Sequence, residues 1–406
     1  MKKTCLSVVG LVLTLFSAFA QPAGKDSSQY KSRKLTFEEA NLVTSYYHQD
    51  GNNSAVTGGV GSEKLTDYSG AIDIKLSKWD RKNRKHNFDV ELGVDHYTSA
   101  SSDMVDLHAN SSASSADTRF YPSASWSMEN EKKGTTVGAG LSSSTEYDYQ
   151  SFGANINFAK KTNNRSGEFA AKLQAYVDNL KYILPVELQA RNGGGGDGGD
   201  GDDTYYPSKS RNSLSTSLSY SQIINKNLQV MFLLDLVYQK GYLGLPFHRV
   251  YFLNESLPHV ENLPDSRFKL PLGFRANYFA GDKVIIRTFY RYYHDDWGLN
   301  AHTFELETPV KVTPFFSITP FYRYYNQRAV DYFSPYKTHT TADQYYTSNY
   351  DLSTFNSNFY GAGFRIAPPK GVFGVQHLNM LEIRYGHYTK SIGMKSDIIS
   401  LNLKFK

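Results

Sequence analysis

The residues able to carry chemistry in this chain of 406 are charged side chains placed one position away from apolar ones. Arg275, Arg287, Arg291, Arg323, Arg365 and Arg384 sit in this way in the C-terminal half. So do Asp73, Asp89, Glu91, Asp95, Asp235, Glu305, Glu307 and Glu382. Fixed charges of both signs, gathered on one wet surface, make a transverse field that orients a polar solute. Covalent chemistry has no such support. The 11 histidines show neither H-E-x-x-H nor another metal spacing, and no G-x-S-x-G elbow occurs. His96, His294 and His387 offer imidazoles, but no serine stands out to join one, so no catalytic residue is assigned and an enzyme is not expected. Cys5 is the single cysteine and lies in the leader, so the mature chain holds no thiol for a disulfide, a zinc thiolate or a haem thioether. Asn192 to Asp203, seven glycines among carboxylates, lacks the spacing and closing Glu of a calcium loop and reads as a flexible connection. No metal and no cofactor is expected.

The elements that must position these charges show a period of two. Ile399, Leu401, Leu403 and Phe405 alternate with Ser400, Asn402, Lys404 and Lys406. Ile72, Ile74 and Leu76 alternate with Asp73, Lys75 and Ser77, and Phe88, Val90, Leu92 and Val94 with Asp89, Glu91, Gly93 and Asp95. This is the signature of strands with one oily face and one wet one. Similar runs recur to the end of the chain, Phe304 to Val310 among them, and predict about sixteen strands. Aromatics make up 15% of the residues, with 31 Tyr and 25 Phe, yet mean hydropathy is only −0.49. Apolar residues diluted one in two account for both values.

The connections alternate in length. Those around Arg81, Lys132, Asn163, Lys226, Gly281, Pro314 and Pro368 are turn-like, whereas 49 to 63, 99 to 118, 180 to 210, 241 to 266 and 331 to 352 are long. Those near Tyr147, Asp295 and Ile392 are shorter than the alternation requires. Short periplasmic turns, long extracellular loops and an even strand number belong to outer-membrane barrels. The expected fold is therefore an all-β, transmembrane antiparallel β-barrel. A bilayer core offers no partner for backbone groups, so strands cross it only when the sheet closes. Tyr46, Tyr47, Tyr97, Tyr147, Tyr176, Tyr238, Tyr290, Tyr292, Tyr322, Tyr324, Tyr385 and Tyr388 fall at the outer ends of the odd-numbered strands and predict an aromatic girdle. A secreted β-sandwich or propeller is the rival fold, and it would need neither this belt nor paired loop lengths.

Lys2 and Lys3, the apolar run Leu6 to Phe16 and the Ala18-Phe19-Ala20 site read as a cleaved signal peptide, residues 1–20. Residues 21–39 are then a short periplasmic segment and 40–406 the barrel. Net charge is +5, or +3 without Lys2 and Lys3, so no strong electrostatic partner is implied and no nucleic-acid partner is expected. Outer-membrane lipid is the expected surrounding and the bacterial outer membrane the expected location. Two readings of the interior stay open: a water-filled channel, or charges that pair with one another and fill the lumen. The apolar stretch Gly241 to Phe252 suits either a loop that folds inward, with Tyr242, Phe247, His248 and Arg249 as candidate constriction residues, or a packed surface loop that shields the rim.

Three segments resemble a family of uncharacterised bacterial outer-membrane proteins known as domain of unknown function 3570. They are Ser45 to Ser54 with Gly58-Gly59, Gly93-Val94-Asp95-His96 leading into Ser99-Ala100-Ser101, and Gly241-Tyr242-Leu243 through Tyr251. The resemblance covers essentially the whole mature chain. It implies an outer-membrane barrel and no catalytic residues. It also implies a neighbourhood of flavin-attaching and thioredoxin-like proteins, hence a link to envelope redox assembly in which the barrel is sheath or scaffold. The expected function is a channel or transporter for a small polar solute. The alternative is a structural or scaffold barrel for a periplasmic or surface partner, linked to redox or flavoprotein systems.

Overall fold

Alternating side chains make each strand oily on one side and polar on the other, and the chain satisfies both by rolling one antiparallel sheet into a ring. The computed structural model describes residues 33–98, 116–188 and 207–406. The expected signal peptide, the Ser-rich loop from Ser99 and the Gly-Asp run from Asn192 lie outside the described residues.

The ring is built of β1 (Thr36–Asp50), β2 (Leu65–Trp79), β3 (Lys85–Thr98), β4 (Ala116–Asn130), β5 (Thr135–Thr145), β6 (Tyr149–Lys161), β7 (Gly167–Lys181) and β8 (Ser208–Asn225). It continues through β9 (Leu228–Gly241), β10 (Ser266–Ala280), β11 (Val284–Asp295), β12 (Asn300–Glu307, resuming at Val310–Lys311), β13 (Phe316–Arg328), β14 (Phe355–Ile366), β15 (Leu378–Lys390) and β16 (Lys395–Phe405). Both pieces of β12 pair with the same two neighbours, so they form one crossing and the barrel has sixteen strands. Pro309, which has no N–H to give the ladder, stands in the break. Closure is direct: β1 pairs with β2 on one side and with β16 on the other, from Ala40↔Phe405 to Asp50↔Lys395. Among the described residues no helix is long and apolar enough to cross a membrane.

Leu92, Leu141, Phe152, Ile156, Leu173, Phe232, Phe274, Phe304 and Ile383 stand exposed on the outer face, where lipid replaces water as their solvent. Connections at one end of the ring are tight, such as 131–134 and 226–227, and at the other end several are long. The tyrosine girdle needs correction. Tyr46, Tyr238, Tyr290, Tyr292, Tyr322, Tyr324 and Tyr385 share the outer face with these apolar residues. Tyr47, Tyr97, Tyr176 and Tyr388 pair with residues of the inner face, because a neighbour one position along a strand must point the other way.

Candidate functional site

The inner face is the candidate site, and the register fixes its membership. Arg275 lies opposite Phe289, Arg287 opposite Glu307, and Arg291 opposite Gly273 and Thr303. Arg323 lies opposite Glu305 and Phe359, Arg365 opposite Ser317 and Glu382, and Arg384 opposite Gly363 and Ser400. Asp89, Glu91 and Asp95 on β3 lie opposite Lys75, Asp73 and Ser69 of β2, and Asp235 lies opposite Ser217. All of these side chains leave the sheet on the side away from the apolar stripe.

In a ring of sixteen, β3 and β11 are eight strands apart and face one another. The carboxylates of β2 and β3 therefore confront the arginines of β10 to β15. The segregation is partial. Glu305, Glu307 and Glu382 stand within the arginine sector and pair there: Arg287 Nη1 to Glu307 Oε1 at 2.7 Å, Arg323 Nε to Glu305 Oε1 at 2.7 Å, and Arg384 to Glu307 at 3.0 Å and to Glu382 at 3.4 Å. Aromatic rings of the same face flank the cations, with Arg275 5.3 Å from the Phe289 centroid, Arg323 5.3 Å from Phe359 and Arg384 4.9 Å from Phe321. Among the described residues, Arg275, Arg291 and Arg365 have no carboxylate within ion-pair distance, so that wall keeps a net positive charge.

Phe289-Tyr290-Arg291-Tyr292-Tyr293 on β11 is echoed by Phe321-Tyr322-Arg323-Tyr324-Tyr325 on β13. The register explains the echo. In each, Phe, Arg and the last Tyr point inward while the two remaining tyrosines join the outer belt.

The long loops gather over one mouth of the ring. Arg249 comes from the loop between β9 and β10, yet its Nη1 donates to the Val56 carbonyl at 2.8 Å, in the loop between β1 and β2. Those two loops leave the ring eight strands apart, so the β9–β10 loop crosses the opening. Its Nη2 also holds Glu187 Oε2 at 2.9 Å, in the loop after β7. Desolvation raises the Glu187 carboxyl, but the Arg249 guanidinium outweighs it and holds the group below its usual range. At Gly58 (φ 85°) an added Cβ would stand 2.6 Å from the Tyr251 ring, which only glycine accommodates. Two segments of the family resemblance thus meet across the mouth.

His248 is buried with Glu261, its Nδ1 3.6 Å from Oε2, too long for a hydrogen bond. Glu261 accepts from Thr347 Oγ1 at 2.5 Å and from Leu245 N at 2.9 Å, tying the loop to the one between β13 and β14. Burial alone would push the Glu261 carboxyl up. His248, Thr347 and the Leu245 N–H overcome that and hold it below its usual range. Tyr242 sets its ring edge-on to Tyr182 at 5.5 Å, and Phe247 sits edge-on to His248 at 5.1 Å. Trp297, Leu299, Ala301 and Val330 form a buried apolar knot against Leu243, Leu263 and Leu352, with the inner-face Tyr293 and Tyr325 beneath. The alternation of the strands gives no hint of this cap, since contacts between residues far apart in the chain leave no period; the apolar composition of 241–252 was the one signal available.

A closed ring of strands, oily outside and charged within, is a membrane-spanning β-barrel. The chain belongs to the family described as "Protein of unknown function (DUF3570)", which matches residues 82–391. Comparison with curated proteins returns no match. Among solved structures, a BenF-like porin from Pseudomonas fluorescens Pf-5 is similar over 93% of this chain and 100% of its own, with 8% identity and a TM-score of 0.43. OccK1 (OpdK) from Pseudomonas aeruginosa is similar over 93% and 99%, with 8% identity and a TM-score of 0.40. CdiB from Acinetobacter baumannii is similar over 91% of this chain and 60% of its own, with 9% identity and a TM-score of 0.46. At such identities and TM-scores the likeness says nothing of what this barrel admits.

Proposed function

We propose that the protein is an outer-membrane channel for a small polar solute. One observation carries the reading: the inner face bears opposed charged walls whose positive side keeps Arg275, Arg291 and Arg365 without carboxylate partners. A lumen serving only as packed core would have to neutralise such groups, because an unpaired charge shut from water is costly. Charges left free in a wet lumen instead orient a dipolar solute. The cap led by Arg249 narrows the entrance, and Tyr242, Phe247 and His248 hold its shape. Proteoliposomes holding the purified barrel should swell in isotonic solutions of small zwitterions faster than in those of neutral disaccharides. Equal, protein-independent rates for both would refute the channel.

A second reading is favoured by the cap itself, since a loop tethered across the whole mouth also suits a barrel that holds a partner. In that role it is a scaffold for a periplasmic or surface protein, in line with the redox association the family resemblance implies. Stoichiometric co-purification of one such protein from native membranes, with swelling absent, would establish it.

A further inference from the structure

Beneath the outer mouth, on the acidic wall, the inner face opens into a pocket of about 460 Å³ whose lining includes Asp67, Asp95, Glu146 and Arg119, the rings of Tyr47 and Tyr97, and the apolar Leu65 and Ile398. Its three carboxylates are not equivalent. Arg119 stands 3.5 Å from Glu146 and 3.9 Å from Asp95, and it reaches Ser144 as well. Asp95 also accepts from Tyr121 Oη at 3.0 Å, and Glu146 from Tyr97 Oη at 2.7 Å. Among the described residues Asp67 has no cation within ion-pair distance, and its Oδ1 is enclosed without a hydrogen-bond partner. Register places it between two aromatic rings of the same face, Tyr47 on β1 and Tyr97 on β3.

We propose that this pocket binds the ammonium group of a small organic solute. A carboxylate held in no ion pair among the described residues supplies the anion. Two phenol rings beside it supply the negative π faces that attract a cation. Leu65 and Ile398 give the apolar edge that N-methyl or methylene groups need, which a bare metal ion would not use. Arg119 lies between the other two carboxylates and offsets one of their two charges, so the pocket stays net negative and Asp67 is its one carboxylate without an ion-pair partner. The proposal rests on the channel reading for the solute's access to the inner face, although binding itself needs no conduction.

The test is calorimetric titration of the whole detergent-purified barrel with choline chloride, against sodium acetate at equal ionic strength. Choline should bind saturably and acetate should not. Asp67→Asn should weaken choline by at least about tenfold, and Tyr47→Ala by several-fold, as the loss of a charge partner or a π face requires. Tyr47→Phe, which keeps the ring, and Asp235→Asn, far from the pocket, should leave it unchanged. Unaltered choline binding in Asp67→Asn, or none to the folded wild-type barrel, overturns the site. Should Asp67→Asn fail to fold, the contrast between Tyr47→Ala and Tyr47→Phe decides alone. Asp67-dependent binding to a barrel that passes no solute would leave the pocket standing and remove the channel. Solute passage without Asp67-dependent binding would do the reverse.

Discussion

Arg384 and Glu307 stand on strands separated by two others, and the arginine Nη2 is 3.0 Å from the carboxylate Oε2. Side chains three strands apart converge in this way only on the concave face of a closed sheet. Glu307 also receives Arg287, so one carboxylate holds two guanidiniums of different strands.

Glu307→Gln should release both arginines into the lumen. Side chains at 25% to 49% exposure make such pairs worth about 0–1 kcal/mol each, so the barrel should stay folded and heat-modifiable on gels. Its reversal potential across a salt gradient should shift toward anions. An unchanged potential would show that these charges do not face the permeating path.

Replacing Arg275, Arg291 and Arg365 together by Gln removes the unpaired part of the positive wall. The selectivity shift should run toward cations, opposite to that of Glu307→Gln. Because none of the three has a carboxylate to strand, thermal stability should change little. A shift of the same sign in both variants would be incompatible with opposed charged walls.

On the outer face, Ile156→Arg exposes a charge to lipid from the middle of β6. At the bilayer midplane such a change costs about 2–4 kcal/mol. Refolding yield into vesicles should fall accordingly, whereas Asn155→Arg, one residue along and facing the lumen, should refold as wild type. Equal yields would place both side chains in water.

Acid should loosen the cap. Burial raises the Glu261 carboxyl, but its partners hold it lower in the folded cap than its free value of about 4.3. The folded cap therefore binds fewer protons there than the unlinked loop. Its stabilisation is fully present above the free value and is lost as pH falls through the depressed one. Hydrogen exchange over residues 242–265 should be flat from neutral pH down to the ordinary carboxylate range and quicken, after correction for intrinsic rates, only below it. In Glu261→Gln the segment should exchange faster at neutral pH and show no acid step. An acid step that survives in Glu261→Gln would assign it to another group.

Much of the barrel was legible because alternation reports directly which side chain meets lipid. The C-terminal run Ile399 to Phe405 and the run Phe88 to Val94 both became strands with the expected faces. Phe304 to Val310 read as one strand, and it is one crossing despite the break at Pro309. The girdle was misjudged at Tyr47, Tyr97, Tyr176 and Tyr388, where nearness to a strand end was read without the parity that turns these side chains inward; Tyr46 and Tyr47, one position apart, cannot both face lipid. The cap escaped for a different reason. The bond from Arg249 to Val56 joins residues 193 apart in loops with no repeat, so only the folded ring brings them together. The pocket at Asp67 was hidden likewise, since its walls come from five strands.

The most direct measurement is single-channel recording in planar bilayers, on the wild-type barrel and on Arg249→Ala, which frees the loop that crosses the mouth. Discrete current steps should appear for the wild type and grow larger or more frequent when the tether is cut. A folded, heat-modifiable barrel that stays silent in both forms would contradict the channel.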